Sequence, residues 1–275
     1  MKKIFGTKEW AQETLDIQVG CSNGCRYCYA KAEAIRFKRK TRANWSTCER
    51  LPDVKMQKIL ASKIPLTVMF PTHHDIDTRN MVTATLAIGA LVDAGHQVLV
   101  VSKPDPFVIE RICRNLGSIP GMRTLVEFRF TIGSAIRSTL KYWEPMAPSL
   151  GDRLESLIIA RQSQFRTSVS IEPMLDSMPE RVVDIVRPHV TESIWIGLPN
   201  FLAQRLAING ESTEVKKMGK ELMGLFTDEV IIRIFRNLTA DPLIRWKESM
   251  RMRLGMEPTN KSPEVEQKAA KDKVA

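Results

Sequence analysis

The chain alternates two kinds of segment. Short runs rich in β-branched and aromatic residues stand at 15–20 (LDIQVG), 66–71 (LTVMFP), 97–103 (QVLVVSK), 126–133 (VEFRFTIG), 166–173 (RTSVSIEP), 192–199 (ESIWIGLP) and 229–236 (EVIIRIFR). Each predicts a strand. Between them, apolar residues recur at helical spacing over 81–95, 105–117, 150–164, 177–188, 212–226 and 241–255. Gly95 suits a helix end, and Pro106 and Pro179 suit first helical positions, with Asp105 placed to cap. Strands alternating with helices of this length predict βα units around a parallel sheet. Six such units predict an α/β fold, a partial (β/α)6-type TIM-like barrel with a short C-terminal extension. A doubly wound open sheet is the alternative. The barrel domain should span 1–255. Residues 256–275 are polar, lack aromatics and mix both charges, which predicts a disordered tail.

Composition narrows the class. The chain has 275 residues, 43% of them hydrophobic, enough for one full core. Its first residues, MKKIFGTKEW, contain no apolar stretch of signal-peptide type, and no segment reaches the ~18 apolar residues of a membrane span. A soluble, cytoplasmic protein is expected. In a reducing compartment, its five cysteines point to metal or catalysis rather than to disulfides. The formal net charge of +10 favours encounter with polyanions, nucleic acid first.

Three of the cysteines, Cys21, Cys25 and Cys28, form C-x3-C-x2-C directly after the first strand. Gly20, Asn23 and Gly24 let that backbone curl. Three thiolates from one short loop fit three corners of a 4Fe–4S cube, leaving one iron open to chemistry. Structural zinc is the alternative, but it needs a fourth ligand, from Cys48, Cys113, His73 or His74, and none of these completes a second C-x2-C pair. A basic nucleic-acid-binding protein with such a zinc site would be a different class of function.

With Tyr27 at its aromatic position, C-x3-C-x-aromatic-C after the first strand of a βα repeat resembles the radical S-adenosylmethionine superfamily. Finer features resemble its spore photoproduct lyase-like, or DNA repair photolyase-like, branch: 70-FPTHHDI-76, 102-SKPDP-106, 130-FTIGS-134, 144-EPMAPSLGDRLE-155, 171-IEPML-175 and 194-IWIGLPN-200. The resemblance spans about residues 15–250 and implies a 4Fe–4S cluster on the three cysteines, with S-adenosylmethionine on the open iron. It further implies an electron from an external donor such as flavodoxin or ferredoxin, reductive cleavage to a 5′-deoxyadenosyl radical, and hydrogen abstraction from a substrate. Lyases of that branch carry a cysteine just after the second strand. Phe70-Pro71-Thr72-His73-His74 here has none.

Residues at strand ends can be given roles on that resemblance. Tyr27 would lie near the adenine. Thr72, His73, His74 and Asp75 would handle the amino group or the substrate. Lys103 would face the carboxylate, Thr131 and Ser134 the ribose or carboxylate, and Glu172 and Asn200 the cavity. Each also has a plainer reading as a cap or turn residue; Asp75 and Thr78 could cap a helix starting near Asn80. Adjacent histidines diverge from an extended segment, so His73 and His74 suit proton transfer better than a second metal. Cys113 reads as a buried small hydrophobe within a helix.

The stretch 30–42 (AKAEAIRFKRKTR) carries six cations against Glu33. Arg36, Lys38, Arg39 and Lys40 should spread outward, with Phe37 and Trp45 available to stack on bases; a solvated helix end is the alternative. The substrate expected is therefore DNA, RNA or a nucleotide, with a peptide or small metabolite as the second possibility.

Overall fold

The computed structural model describes residues 6–256. The expected tail therefore lies, Met256 apart, outside the described residues.

Among the described residues nine strands are formed: β1 (Glu13–Thr14), β2 (Gln18–Val19), β3 (Glu49–Arg50), β4 (Thr67–Phe70), β5 (Gln97–Ser102), β6 (Val126–Thr131), β7 (Arg166–Ile171), β8 (Ile194–Ile196) and β9 (Ile244–Trp246). Seven make one sheet in the order β1-β4-β5-β6-β7-β8-β9, every neighbour parallel. Strand order follows chain order, so each step is a βα crossover of the kind that builds a barrel. The sheet curls but does not close, and β1 and β9 remain its edges. β2 and β3 form a separate antiparallel ribbon.

The period-two alternation of the strands sorts their side chains. Val98, Val100, Phe128, Phe130, Val169, Ile171, Ile194 and Ile196 pack into the main core. This core lies beneath the helices α3 (Met81–Asp93), α4 (Pro106–Gly117), α7 (Leu150–Gln162) and α8 (Pro179–Val186). Phe128 meets Phe165 edge-to-face at 5.3 Å. The concave face carries the other set: Glu127, Arg129, Thr131, Ser168, Ser170 and Trp195.

Local signals act as expected at several ends. Asp105 caps α4 by accepting from Val108 N–H at 3.3 Å, with Pro106 in the first position. Pro179 opens α8, and Gly95 takes φ +82 after α3. The remaining helices are α1 (Tyr29–Arg36), α2 (Val54–Leu60), α5 (Met122–Leu125), α6 (Arg137–Trp143), α9 (Leu202–Asn209), α10 (Thr213–Gly224), α11 (Asp228–Leu238) and α12 (Glu248–Arg253).

Three expectations are corrected. Residues 229–236 are helical, within α11, because Ile231, Ile234 and Leu238 share one buried face. The helix expected over 241–255 is divided: Ile244–Trp246 pairs with β8 as the last strand, and only Glu248–Arg253 is helical. The first strand breaks at Asp16 and Ile17, which part β1 from β2.

Candidate functional site

The three thiols sit on one loop beyond the C-terminal end of β1, at the mouth where the other barrel strands also end. Gly20 holds φ +104, and a Cβ there would lie 2.6 Å from Thr47 O and 2.8 Å from Trp45 O. Only glycine permits that turn. Cys28 is the N-cap of α1, its sulfur accepting from Lys31 N–H at 3.3 Å. The loop is clamped from distant parts of the chain. Arg26 N–H donates to Trp143 O at 2.9 Å, and Asn209 in α9 donates to the carbonyls of Arg26 and Cys28 at 2.9 and 3.0 Å.

All three cysteines are free, Cys25 being buried and the others half-buried. Burial raises every one of these thiols, Cys21 to about 12. As thiolates they need a cationic partner, which bound metal supplies. Among the described residues no group of three or more histidines, cysteines, aspartates or glutamates is arranged to hold a single metal ion. Three cysteine thiolates are a donor set suited to three corners of a 4Fe–4S cube, whereas structural zinc takes four ligands.

Asp75 is the hub beside this loop. Its carboxylate accepts from Asn23 Nδ2 at 2.7 Å, Ser102 Oγ at 2.9 Å and Lys103 N–H at 2.6 Å, with Lys103 Nζ at 3.9 Å. These contacts, not a helix cap, occupy it; the N-cap of α3 is Asn80. Lys103 is largely buried at the end of β5. Burial alone would lower its ammonium, but the neighbouring Cys25, Tyr27, Asp75 and Glu144 hold it well above the usual value. A charged lysine thus stands among the thiols.

His73 and His74 diverge, as two neighbours on an extended segment must. His74 is fully buried: Nε2 accepts from Ile17 N–H at 3.3 Å and Nδ1 donates to Asp75 O at 2.9 Å. That pattern defines a neutral ring, and burial lowers its pKa. His73 is open at the mouth. Its Nδ1 lies 2.7 Å from Asp16 Oδ2 and its Nε2 3.4 Å from Glu33 Oε2. Burial disfavours the charged ring, yet the two carboxylates outweigh it and raise the pKa. Thr72 lies between these groups; its carbonyl accepts from Tyr29 Oη, and its own Oγ1 is buried without a partner.

Tyr27 is buried, its hydroxyl donating to Glu144, which also pairs with the fully buried Arg153. Arg153 further donates to Thr131 O at 3.0 Å, so the end of β6 is held by this pair. Ser134 is fully buried, donating to Asp176 and accepting from Ile136 N–H at 2.9 Å. Its hydroxyl serves the turn. Glu172, at the end of β7, lies 3.4 Å from Lys247 Nζ. Burial raises its pKa against the pull of Lys247.

Solved structures of spore photoproduct lyase share this architecture. The enzyme complexed with a dinucleoside spore photoproduct matches with a TM-score of 0.58 at 14% identity, over 86% of this chain and 76% of that one. This chain has the fold of spore photoproduct lyase. A cysteine-to-serine mutant of that enzyme matches at 0.56 and 13% identity, over 90% and 79% of the two chains. No protein-family model matches the chain, and no curated protein matches its sequence.

On that fold, three residues that the sequence reading left out join the site. Asp16 accepts from the N–H groups of Thr72 and His73, both at 2.7 Å, besides gripping the ring of His73. Lys247, the cation beside Glu172, follows β9. Arg205 reaches in from α9, its guanidinium 5.7 Å from the centre of the Tyr29 ring. The first is legible only as the lone carboxylate between β1 and the cysteines; the others carry no local signal. The basic stretch is less open than expected. Lys40 is buried against Glu49 and Thr47 O, Arg42 donates to Ile208 O at 2.9 Å, and Trp45 is buried. Phe37 is 62% exposed, with Arg36 and Arg39 at its ring.

Proposed function

We propose that this chain is a radical S-adenosylmethionine enzyme acting on a nucleic-acid base or nucleotide. The observation that carries the reading is three free cysteines on one glycine-turned loop at the C-terminal mouth of a parallel half-barrel, with Lys103 among them. A 4Fe–4S cluster with S-adenosylmethionine supplies, when bound, the electron and the adenosyl radical that abstracts hydrogen.

The protein's part is to hold and to orient. Cys21, Cys25 and Cys28 take the metal. Lys103 offsets thiolate charge and offers a cation to a carboxylate; Asp75 and the carbonyl of Thr72 offer acceptors to an amino group. Tyr27, fixed by Glu144, gives a rigid apolar wall for a purine ring. His73, held by Asp16, is a proton carrier at the mouth. Glu172 faces the substrate side with Arg205, which supplies positive charge where a phosphate would enter. The solved structure that this fold matches carries a dinucleoside spore photoproduct, and a net charge of +10 favours the same class of partner. No helix among the described residues is long and apolar enough to cross a membrane. The electron would come from a small external carrier such as flavodoxin or ferredoxin.

Anaerobic reconstitution of the full chain tests the reading. About four irons and four sulfides per chain are expected, with dithionite-dependent release of 5′-deoxyadenosine from S-adenosylmethionine. A colourless, zinc-loaded protein would overturn it. Binding to DNA and RNA oligomers at two salt concentrations tests the substrate class. No binding at low salt would move the substrate to a peptide or metabolite.

A further inference from the structure

The opposite end of the half-barrel holds a cavity of about 400 Å³, ringed by the starts of the strands. Its wall includes Thr67, Gln97, Glu127, Arg166, Ser193 and Arg245, whereas the cysteine loop lies beyond the strand ends. The volume falls within the range of small-molecule sites. We infer that this cavity is a binding site for a small organic oxyanion, a carboxylate or phosphate carried on a flat ring. The inference is independent of the radical chemistry.

Charge gives the first argument. The concave face of a barrel is ordinarily filled by branched apolar side chains. Here Glu127 and Arg129 occupy it instead, 9% and 6% exposed. Burying them is costly unless every donor and acceptor is matched. The match is incomplete. Arg129 Nη2 donates to Glu127 at 2.7 Å and Nε to Ser168 Oγ at 2.9 Å, but Nη1 is buried without a hydrogen-bond acceptor. Trp10 Nε1 is in the same condition. Both side chains line the cavity. Lys8, Arg129, Arg166 and Arg245 line it with Glu9, Glu127 and Glu192; Arg166 lies 2.9 Å from Glu192 and 3.3 Å from Glu127, and Lys247 lies 2.8 Å from Glu9. Four cations thus stand with three carboxylates on the wall, and an oxyanion supplies the missing negative charge.

Shape gives the second. Trp10 and Trp195 meet at 6.0 Å with planes 68° apart, and the Arg129 guanidinium lies 4.9 and 5.5 Å from their ring centres. Leu99 and Leu125 add apolar wall. Two indoles beside a guanidinium recognise a flat ring with a charged substituent.

Calorimetry on the full chain, with 2-naphthoate, 2-naphthyl phosphate, neutral 2-naphthamide and inorganic phosphate as probes, tests the site. Saturable binding of naphthoate or naphthyl phosphate is expected, and the tighter of the two identifies the anion. Naphthamide and inorganic phosphate should each bind at least about tenfold more weakly, lacking the charge or the ring. Arg245→Gln should weaken the better anion by about tenfold, and Ala11→Phe, which fills the cavity, should abolish binding. Thermal melts confirm that both variants fold. Lys103→Met, at the other end of the barrel, should leave binding unchanged. The site is refuted if neither anion binds into the millimolar range, if naphthamide binds as well as naphthoate, or if both folded cavity variants bind like the parent.

Discussion

Asp16 and His73 form a carboxylate–imidazole pair, Oδ2 to Nδ1 at 2.7 Å, across 57 positions of sequence. Asp16 is held below the usual carboxylate range: burial pushes it up, but the His73 ring pulls it further down. His73 is raised. A raised histidine contributes stability that is full below its unfolded value, near 6.5, and is lost as pH climbs through the folded value. A lowered carboxylate contributes above its unfolded value, near 3.9, and loses it as pH falls through the folded one. The pair is therefore worth most between about pH 4 and 6.5. Asp16→Asn should destabilise the chain by about 1–3 kcal/mol at pH 6. Urea unfolding should show that cost shrinking at pH 8.5. A pH-independent cost would mean that His73 is neutral throughout.

Cys25 is the most enclosed of the three thiols. Cys25→Ala should fold with a far-ultraviolet circular dichroism spectrum like that of the parent and lose most bound iron after anaerobic reconstitution. Cys113→Ala, in α4, should keep full iron. Equal iron in both variants would place the metal elsewhere.

Gly20 cannot be replaced quietly. Gly20→Ala sets a Cβ 2.6 Å from Thr47 O and strains a left-handed residue. A loss of about 1–3 kcal/mol is expected by urea unfolding, together with weaker iron retention. Gly89→Ala, whose Cβ would meet open space inside α3, should be neutral or stabilising.

Glu144 and Arg153 are each 1% exposed, and Tyr27 hangs its hydroxyl on the same carboxylate. Glu144→Gln strands a buried guanidinium and should cost about 3–5 kcal/mol. If the loss is under about 1 kcal/mol, water reaches Arg153 and the Tyr27 wall is not rigid.

Lys103→Met removes the one ammonium described among the thiols and Asp75. Affinity for S-adenosylmethionine, measured by equilibrium dialysis on the reconstituted protein, should fall about 10–100-fold. Unchanged affinity would show that the carboxylate is held elsewhere.

The barrel was legible wherever strand and helix periods were long. The segment expected at 97–103 is β5, Gln97–Ser102, because Val98 and Val100 face one way and their neighbours the other. EVIIRIFR misled because its β-branched residues favour strands, while the burial that decides the matter runs Ile231, Ile234, Leu238. β9 has three residues, too few to show a period, and exists because β8 offers it an edge. That the three cysteines share one loop was legible because their spacing is local. Asp16, Arg205 and Lys247 were not, because each gains meaning from a partner that the chain reaches only by folding. The basic stretch was over-read for a related reason: charge in sequence does not say which lysine is spent inside, as Lys40 is.

Asn209 clasps the cysteine loop through two carbonyls more than 180 positions earlier in the chain. The loop is thus fixed by a helix that leaves the ribosome only after more than 180 further residues. A nascent chain stalled before α9 would therefore present three thiols on a loop that still lacks its clasp.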